Sequence, residues 1–185
     1  MNLIFRVLYV FILSLFKPKL RLPEEEAHLD LTVLPNDLDS NFHMNNGRYL
    51  TIMDLGRLDM ILRSGFLKVM REEKAVPILA SATIRYRLSL DPWMSYRLSS
   101  KIIWWDEKWL YIEQRFILNK GDKAGAVAAI ALVKGNFYSR RDKAVLPTTQ
   151  IIQSIHPEPL TIPECPAHLK KWIETDQEMR EVTKL

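Results

Sequence analysis

In the stretch HLDLTVLP, apolar Leu29, Leu31 and Val33 alternate with polar neighbours, the period of two that marks a half-buried strand, and Pro35 ends it. Further on, NGRYLTIMDLGRLDMILRS places Tyr49, Ile52, Met53, Gly56 and Met60 on one stripe at helical spacing, with Leu50, Leu58, Ile61 and Leu62 widening it. So broad an apolar surface predicts a helix covered on several sides. Gly65 breaks it, and FLKVMREEK predicts a shorter second helix. From Pro77 the pattern changes to four strands, PILASATIRYRLSL, SYRLSSKIIWWD, WLYIEQRFILN and AGAVAAIALVKGNFYSR. The turn-forming DPW, DEK and NKGD between them predict consecutive antiparallel pairing. The rows Leu110, Ile112, Phe116, Leu118 and Val127, Ala129, Ala131, Val133 read as inward faces, and the small residues of AGAVAAIA let a helix lie close to the last strand. Beyond Pro147, TTQIIQSI and PAHLKKWIETDQEMREVTK predict two helices separated by the proline-rich HPEPLTIPECP.

The pattern shows no internal repeat and no second core. It divides into an apolar N-terminal segment (1–22), an α+β domain (23–146) and a helical C-terminal extension (147–185). The N-terminal segment is almost wholly apolar from Leu3 to Phe16, interrupted by Arg6 and followed by Lys17, Lys19 and Arg21. As a helix it reaches about 21 Å, short of the ~30 Å hydrocarbon core of a bilayer. SLFKPKLRLP offers no small-residue cleavage site of the kind a signal peptide needs. Two readings stay open: peripheral membrane contact through residues 1–16 as a helix lying in the interface, or an element docked on the protein's own core or on a second subunit.

Composition changes this picture little. A hydrophobic share of 48% suits a globular core, and 26 basic against 22 acidic residues, a formal charge of +4, is a mild bias toward anionic ligands or membrane surfaces. It lacks the basic stripe with exposed aromatics expected of a nucleic-acid binder. The single Cys165 excludes an intrachain disulfide and suits a reducing compartment, and no Cys/His spacing resembles a zinc site. Glycine-rich phosphate loops, G-x-S-x-G and H-E-x-x-H are absent. Arg85, Arg87, Arg97, Arg140 and Arg141 are candidates for phosphate binding, although strand and loop arginines are more often ordinary solvated charges. Trp104, Trp105 and Trp109 straddle a hairpin and suit core, subunit contact or membrane edge alike.

The densest chemistry lies in NDLDSNFHMNNGRYL, residues 36–50. Asparagine and aspartate favour turns and helix N-caps, so one reading is purely structural. The other is chemical: a helix starting near Asn45 or Asn46 points free backbone N–H groups and its positive dipole end into the loop. A carboxylate a few residues upstream can then attack a carbonyl, or activate water, beside an oxyanion site.

Asp37-Leu38-Asp39, followed by His43-Met44-Asn45-Asn46 and Tyr49, resembles the hotdog-fold thioesterases of the 4-hydroxybenzoyl-CoA type. The stretch running into RYL, with ASATIRYRLSL, YRLSSKIIWWDEKWLYIEQRF and ALVKG, is most similar to the thioesterase superfamily member 6 branch. The resemblance covers about residues 28–140 and implies a hotdog fold, an antiparallel sheet wrapped around a long central helix. It further implies a homodimer or homotetramer with acyl-CoA sites at subunit interfaces, a cytoplasmic protein that can sit at the inner face of a membrane, and hydrolysis of an apolar acyl-CoA without metal or cofactor. Carried onto this chain, Asp39 is the nucleophile or general base and Asn46 the backbone oxyanion donor. Asp37, His43, Asn45 and Tyr49 belong to loop and substrate-site architecture, Asp37 as an organiser because a second like charge opposes ionisation of the first. One departure stands out: Asn41 and Phe42 occupy the place where the benzoyl-CoA enzymes carry the glycine of D-x-D-x-x-G. The candidate acyl wall is the stripe Tyr49, Ile52, Met53 and Gly56. The rivals are a catalytically weak acyl-CoA or lipid-binding protein at a membrane surface, and a hotdog dehydratase, whose histidine-helix signature is absent here.

Overall fold

The computed structural model describes residues 2–183; residue 1 of the N-terminal segment and residues 184–185 of the C-terminal extension lie outside the described residues. The helices are α1 (Asn2–Phe16), α2 (Asn46–Arg63), α3 (Phe66–Glu72), α4 (Thr148–Ser154) and α5 (Ala167–Val182). The strands are β1 (Ala27–Thr32), β2 (Ala75–Tyr86), β3 (Ser95–Trp105), β4 (Leu110–Leu118), β5 (Val127–Ser139) and the two-residue β6 (Ala144–Val145). All pairings are antiparallel, and the sheet runs β1-β3-β4-β5-β2 with β6 added to β5. Its concave face closes on α2, so the chain has the hotdog arrangement, an α+β fold. Leu29, Leu98, Phe116, Ala129 and Val133 share one core with Tyr49, Ile52, Met53, Leu55 and Met60 of the helix.

The strand order corrects the expected meander. Only β3, β4 and β5 pair consecutively; β2 crosses to the far edge against β5, and β1 takes the free edge of β3. The link between β2 and β3 is too long for a tight hairpin. It runs over residues 87–94, and the N–H groups of Arg87 and Leu88 donate to the Ala128 carbonyl, carrying the chain across the sheet end.

The close helix–sheet approach also lies elsewhere than the small residues of β5 suggest. A Cβ at Gly56 would stand 2.5 Å from Ser100 Oγ, 2.8 Å from Gln114 Nε2 and 2.8 Å from Leu98 Cδ2, so α2 presses on β3 and β4 through its own glycine. The buried Gln114 amide completes that contact, donating to Met53 O at 3.0 Å and Ser100 Oγ at 2.8 Å.

The outer face of the sheet carries a second, smaller cluster that the hydrophobic pattern did not reveal. Tyr111, Leu132 and Leu169 are buried there, with Trp104, Trp109, Trp172 and Ile173 packed around them. Alternating strand residues face opposite sides, so Tyr111 and Leu132 turn out where Ile112 and Val133 turn in, and α5 covers them. The hairpin tryptophans are thereby divided, Trp105 to the main core and Trp104 and Trp109 to the outer cluster. Lys134 joins α5 to the sheet: its ammonium lies 2.7 Å from Asp176 Oδ2 and 4.5 Å from the Trp109 ring centre. Burial pushes the Asp176 carboxyl up, but hydrogen bonds from Lys134 and Ser81 more than offset it and hold it below its ordinary value.

α1 packs against α2. Below it, Asp59 of α2 is fully buried and receives Arg63 at 2.8 Å and Lys17 at 3.6 Å, while Lys17 donates to His28 O and Arg63 to Pro18 O. Burial lowers the pKa of the Lys17 ammonium, partly countered by Asp59.

Replacing Gly56 by valine should cost about 1–3 kcal/mol or more of stability by overpacking against β3 and β4, read as a lower urea midpoint at unchanged m-value. Because the Asp176 carboxyl is held below its unfolded value, its contribution is complete above that value and declines as pH falls through the folded one. Asp176→Asn should therefore flatten the acid limb of stability below about pH 4 and leave Lys134 unpaired at neutral pH.

Candidate active site

Residues 37–45 fold as a miniature ladder. Leu38 bridges Met44, the Asp39 N–H donates to His43 O at 3.0 Å, and the Asn45 N–H donates to Asp37 O at 2.8 Å. Asp39 thus lies opposite His43, and Asp37 opposite Asn45. The N-cap Asn45 follows two ladder positions from Asp39, about 7 Å at strand rise, and α2 begins at the next residue, Asn46.

Asp37 is fully buried, and both of its oxygens are occupied. Oδ2 receives Arg6 Nη2 at 2.5 Å and the Leu34 N–H at 3.0 Å, while Oδ1 receives Arg48 Nη2 at 3.0 Å and Nε at 3.2 Å. Neither arginine stands out as a site residue in the sequence. The available signals are Arg6 as the single charge in an apolar helix and Arg48 as the cation inside the loop motif. Two guanidinium groups on one carboxylate leave a surplus positive charge beneath the loop.

Asp39 retains 20% side-chain exposure. Its Oδ1 accepts the Asn41 N–H at 2.9 Å, an Asx turn, and its Oδ2 lies 3.4 Å from His43 Nδ1. The turn between them needs Phe42 at φ +58°, a left-handed backbone with the ring 76% exposed. The residue standing near the motif's glycine position thus adopts the backbone that glycine favours.

Asn45 is the N-cap of α2, its side-chain oxygen accepting the Gly47 N–H at 2.8 Å. Asn46, exposed, is the first helical residue, so its N–H has no intrahelical acceptor; its carbonyl accepts Tyr86 Oη at 2.9 Å, which ties the end of β2 to the start of α2. Asp39, His43, Asn45 and Asn46 are therefore gathered at one edge of the loop. Tyr49 is apart from them, 3% exposed in the core, edge-on to Tyr86 and Phe116, and burial pushes its phenol up to about 12.

The expected acyl wall is corrected. Tyr49, Ile52 and Met53 are core, and Gly56 is closed against the sheet. A cavity of about 270 Å³ lies instead on another stripe of α2, between Asp54, Leu58 and Ile61 and the strand residues Pro77, Ile78 and Phe137. Asp54 is eight residues past Asn46, about 12 Å along the helix. At the cavity Arg57 pairs with Asp54 and donates to Gln114 Oε1 at 2.7 Å. Of the candidate phosphate-binding arginines, Arg97 is bidentate on Asp30, Arg87 donates to Val127 O, and Arg141 pairs with Glu73 and Asp142. Arg85 and Arg140 are exposed. Among the described residues no three His, Cys, Asp or Glu side chains gather in metal-binding geometry.

Comparison with known proteins agrees with the fold. Residues 33–173 match the model of the thioesterase-like superfamily. Protein THEM6 of Xenopus laevis is 36% identical over 141 residues, covering 76% of this chain and 64% of that protein, so the chain spans less than two thirds of the relative's length. The probable thioesterase YbaW of Escherichia coli superposes with a TM-score of 0.63 at 20% identity, covering 69% of this chain and 94% of that one. The Staphylococcus aureus protein SAV2348, solved in complex with CoA, gives 0.59 at 18% identity over 76% of this chain and 90% of that one. Both share the fold.

Arg6→Met removes one of the two charges that compensate buried Asp37 and should cost roughly 2–4 kcal/mol in denaturant unfolding. Arg6→Lys should recover only part, since an ammonium cannot repeat the fork geometry.

Proposed function

The chain belongs to the thioesterase-like superfamily, and on that premise we propose that it hydrolyses the thioester of an apolar acyl-CoA to the free acid and CoA. The observation that supports this most is Asp39: a carboxylate fixed by Asn41 N–H and His43, still reached by solvent, two ladder positions from the N-cap Asn45, after which the Asn46 N–H opens α2 without a helical acceptor.

In this reading the thioester carbonyl oxygen faces the Asn46 N–H, where the helix dipole favours negative charge. Asp39 either attacks the carbonyl carbon, giving a mixed anhydride and expelling CoA thiolate, or removes a proton from the water that attacks. His43, beside Oδ2, orients the carboxylate, and Asn45 holds the turn that aims the donor. Asp37 acts one step back, through the loop, and Tyr49 as a wall behind the helix start. The acyl chain runs along α2 from Asn46 toward the cavity at Leu58 and Ile61, whose lining is mostly apolar, with Asp54, Arg57 and Asn136 as its polar members.

A homodimer completes the reading. β2 ends the sheet and pairs only with β5 among the described residues, so its outer edge carries free backbone groups, and Ile78 and Leu79 are 41% and 51% exposed there. The cavity lies against the same strand. The lone Cys165 fits a reducing, cytoplasmic setting, and the apolar outer face of α1 supports peripheral contact with the inner face of a membrane.

Asp39→Ala should lower kcat/KM by about 10²–10⁴-fold across a panel of acyl-CoA chain lengths while the melting temperature stays near that of the parent. Equal rates in the two proteins would remove Asp39 from the chemistry, and acyl-CoA binding without turnover in the parent would favour a binding protein instead. Single-turnover hydrolysis in heavy-oxygen water should label Asp39 if the carboxylate attacks and water then opens the anhydride at the Asp39 carboxyl carbon, whereas water attacking the acyl carbon places the label in the released acid alone. Light scattering should return at least twice the 21.7 kDa chain mass, and Leu79→Glu should lower it.

A further inference from the structure

α1 divides its circumference unequally. At about 100° per residue, the residues turned toward the protein, Leu3, Arg6, Val10, Leu13 and Ser14, fall within an arc of about 100°. Nine large apolar side chains between Ile4 and Phe16 spread over the remaining arc of about 200° and are exposed, Phe5 at 73%, Leu15 at 67% and Phe16 at 82%. Arg6, the one charged residue of the helix, is turned inward onto Asp37 and the Thr32 carbonyl, so the outer arc carries no charge at all.

We infer that this face of α1 lies flat on an anionic phospholipid surface, immersed to about half the helix circumference. The width of the arc selects the occupant: a second helix, whether from a partner or another copy of this chain, covers a narrow seam of roughly two positions in seven and would leave most of the nine side chains in water. A bilayer interface covers half a helix evenly, to a depth of about 5–10 Å.

Charge supplies the sign. Residues 1–23 contain no acidic side chain, and directly after the helix Lys19 and Arg21 are exposed, Lys19 with only a long 3.5 Å contact to the Leu62 carbonyl, which leaves both cations able to meet anionic headgroups. Lys17 is committed inward to Asp59 and His28 O and takes no part. With about 22 Å of length, α1 lies on the membrane and does not span it; no helix among the described residues is long and apolar enough to cross one.

This deepens the membrane contact proposed above and rests on it, but is independent of catalysis. Its consequence for the enzyme is geometric. Because Arg6 bonds Asp37 from the opposite side of the same helix, seating α1 sets the loop of Asp39 and His43 about one helix diameter, ~10 Å, from the lipid surface, where apolar acyl chains partition.

The test is co-sedimentation of the full chain with vesicles of equal parts phosphatidylcholine and phosphatidylserine, and with pure phosphatidylcholine vesicles. The parent should pellet with the mixed vesicles, less with the neutral ones, and less in high salt. Leu8→Glu combined with Leu15→Glu, at the centre of the outer arc, should reduce binding at least tenfold at an unchanged melting temperature. Lys19→Glu with Arg21→Glu should abolish the preference for anionic vesicles. A parent that stays in the supernatant with both compositions overturns the proposal. So does a Leu8→Glu/Leu15→Glu variant that binds like the parent, or one whose loss is of oligomer mass, which would assign the face to a second copy. None of these readouts uses thioester turnover, so a failure here leaves the hydrolase reading standing, and equal thioester turnover in Asp39→Ala and the parent leaves this one.

Discussion

Everything at the candidate site hangs on one buried carboxylate. Asp37 has no exposure to water, and an ionised group in that position is tolerable only when its charge and lone pairs are met. Arg6 and Arg48 meet them from two different helices, with the Leu34 N–H as a third donor. The requirement is therefore a positional one. α1, the loop and α2 must come together for Asp37 to be buried at all, and once they do, the ladder from Asp37 to Asn45 puts Asp39 and the helix start into fixed relation. The same pairing removes the only charge from the outer face of α1. One electrostatic demand thus orders the loop inside and leaves an uncharged apolar surface outside.

The sheet serves this arrangement by how it holds α2. Gly56 lets the helix sink onto β3 and β4, where Gln114 satisfies the Met53 carbonyl and ties Arg57 to the contact. Sinking on that side leaves the opposite stripe of the helix only partly covered, and the cavity lies there, along β2. That strand is tied to the helix start by Tyr86 and Asn46 yet keeps its outer edge free. The helix start, the cavity and the free edge of β2 therefore lie close to a single helix, and the hydrolysis proposed above rests on that arrangement.

Local patterns were legible wherever the chemistry is local. The alternation of Leu29, Leu31 and Val33, the helix beginning at Asn46 and the caps and turns of residues 36–50 follow from period, N-cap preference and Asx geometry, which involve only near neighbours. Strand partners were less so: the short connections pointed to β2 beside β3, whereas β2 crosses to β5, because alternation marks a strand's two faces and not its edges. The outer cluster was hidden for a related reason. Tyr111 and Leu132 lie outside the inward rows the pattern marks, and what covers them together with Trp104 is α5, far along the chain.

The sequence by itself determined the family likeness, the hotdog class, and the loop in which a carboxylate precedes a helix start, since these depend on motif and spacing over short stretches. Only the tertiary structure decided that Asp37 is enclosed by Arg6 and Arg48, that Tyr49 and Met53 are core while the cavity faces Leu58 and Ile61, and that α1 rests on α2 by one third of its surface. Each of these turns on which side of an element meets a partner distant in sequence. A buried charge finds its counterion through space, and no spacing along the chain between Arg6 and Asp37 announces that they meet.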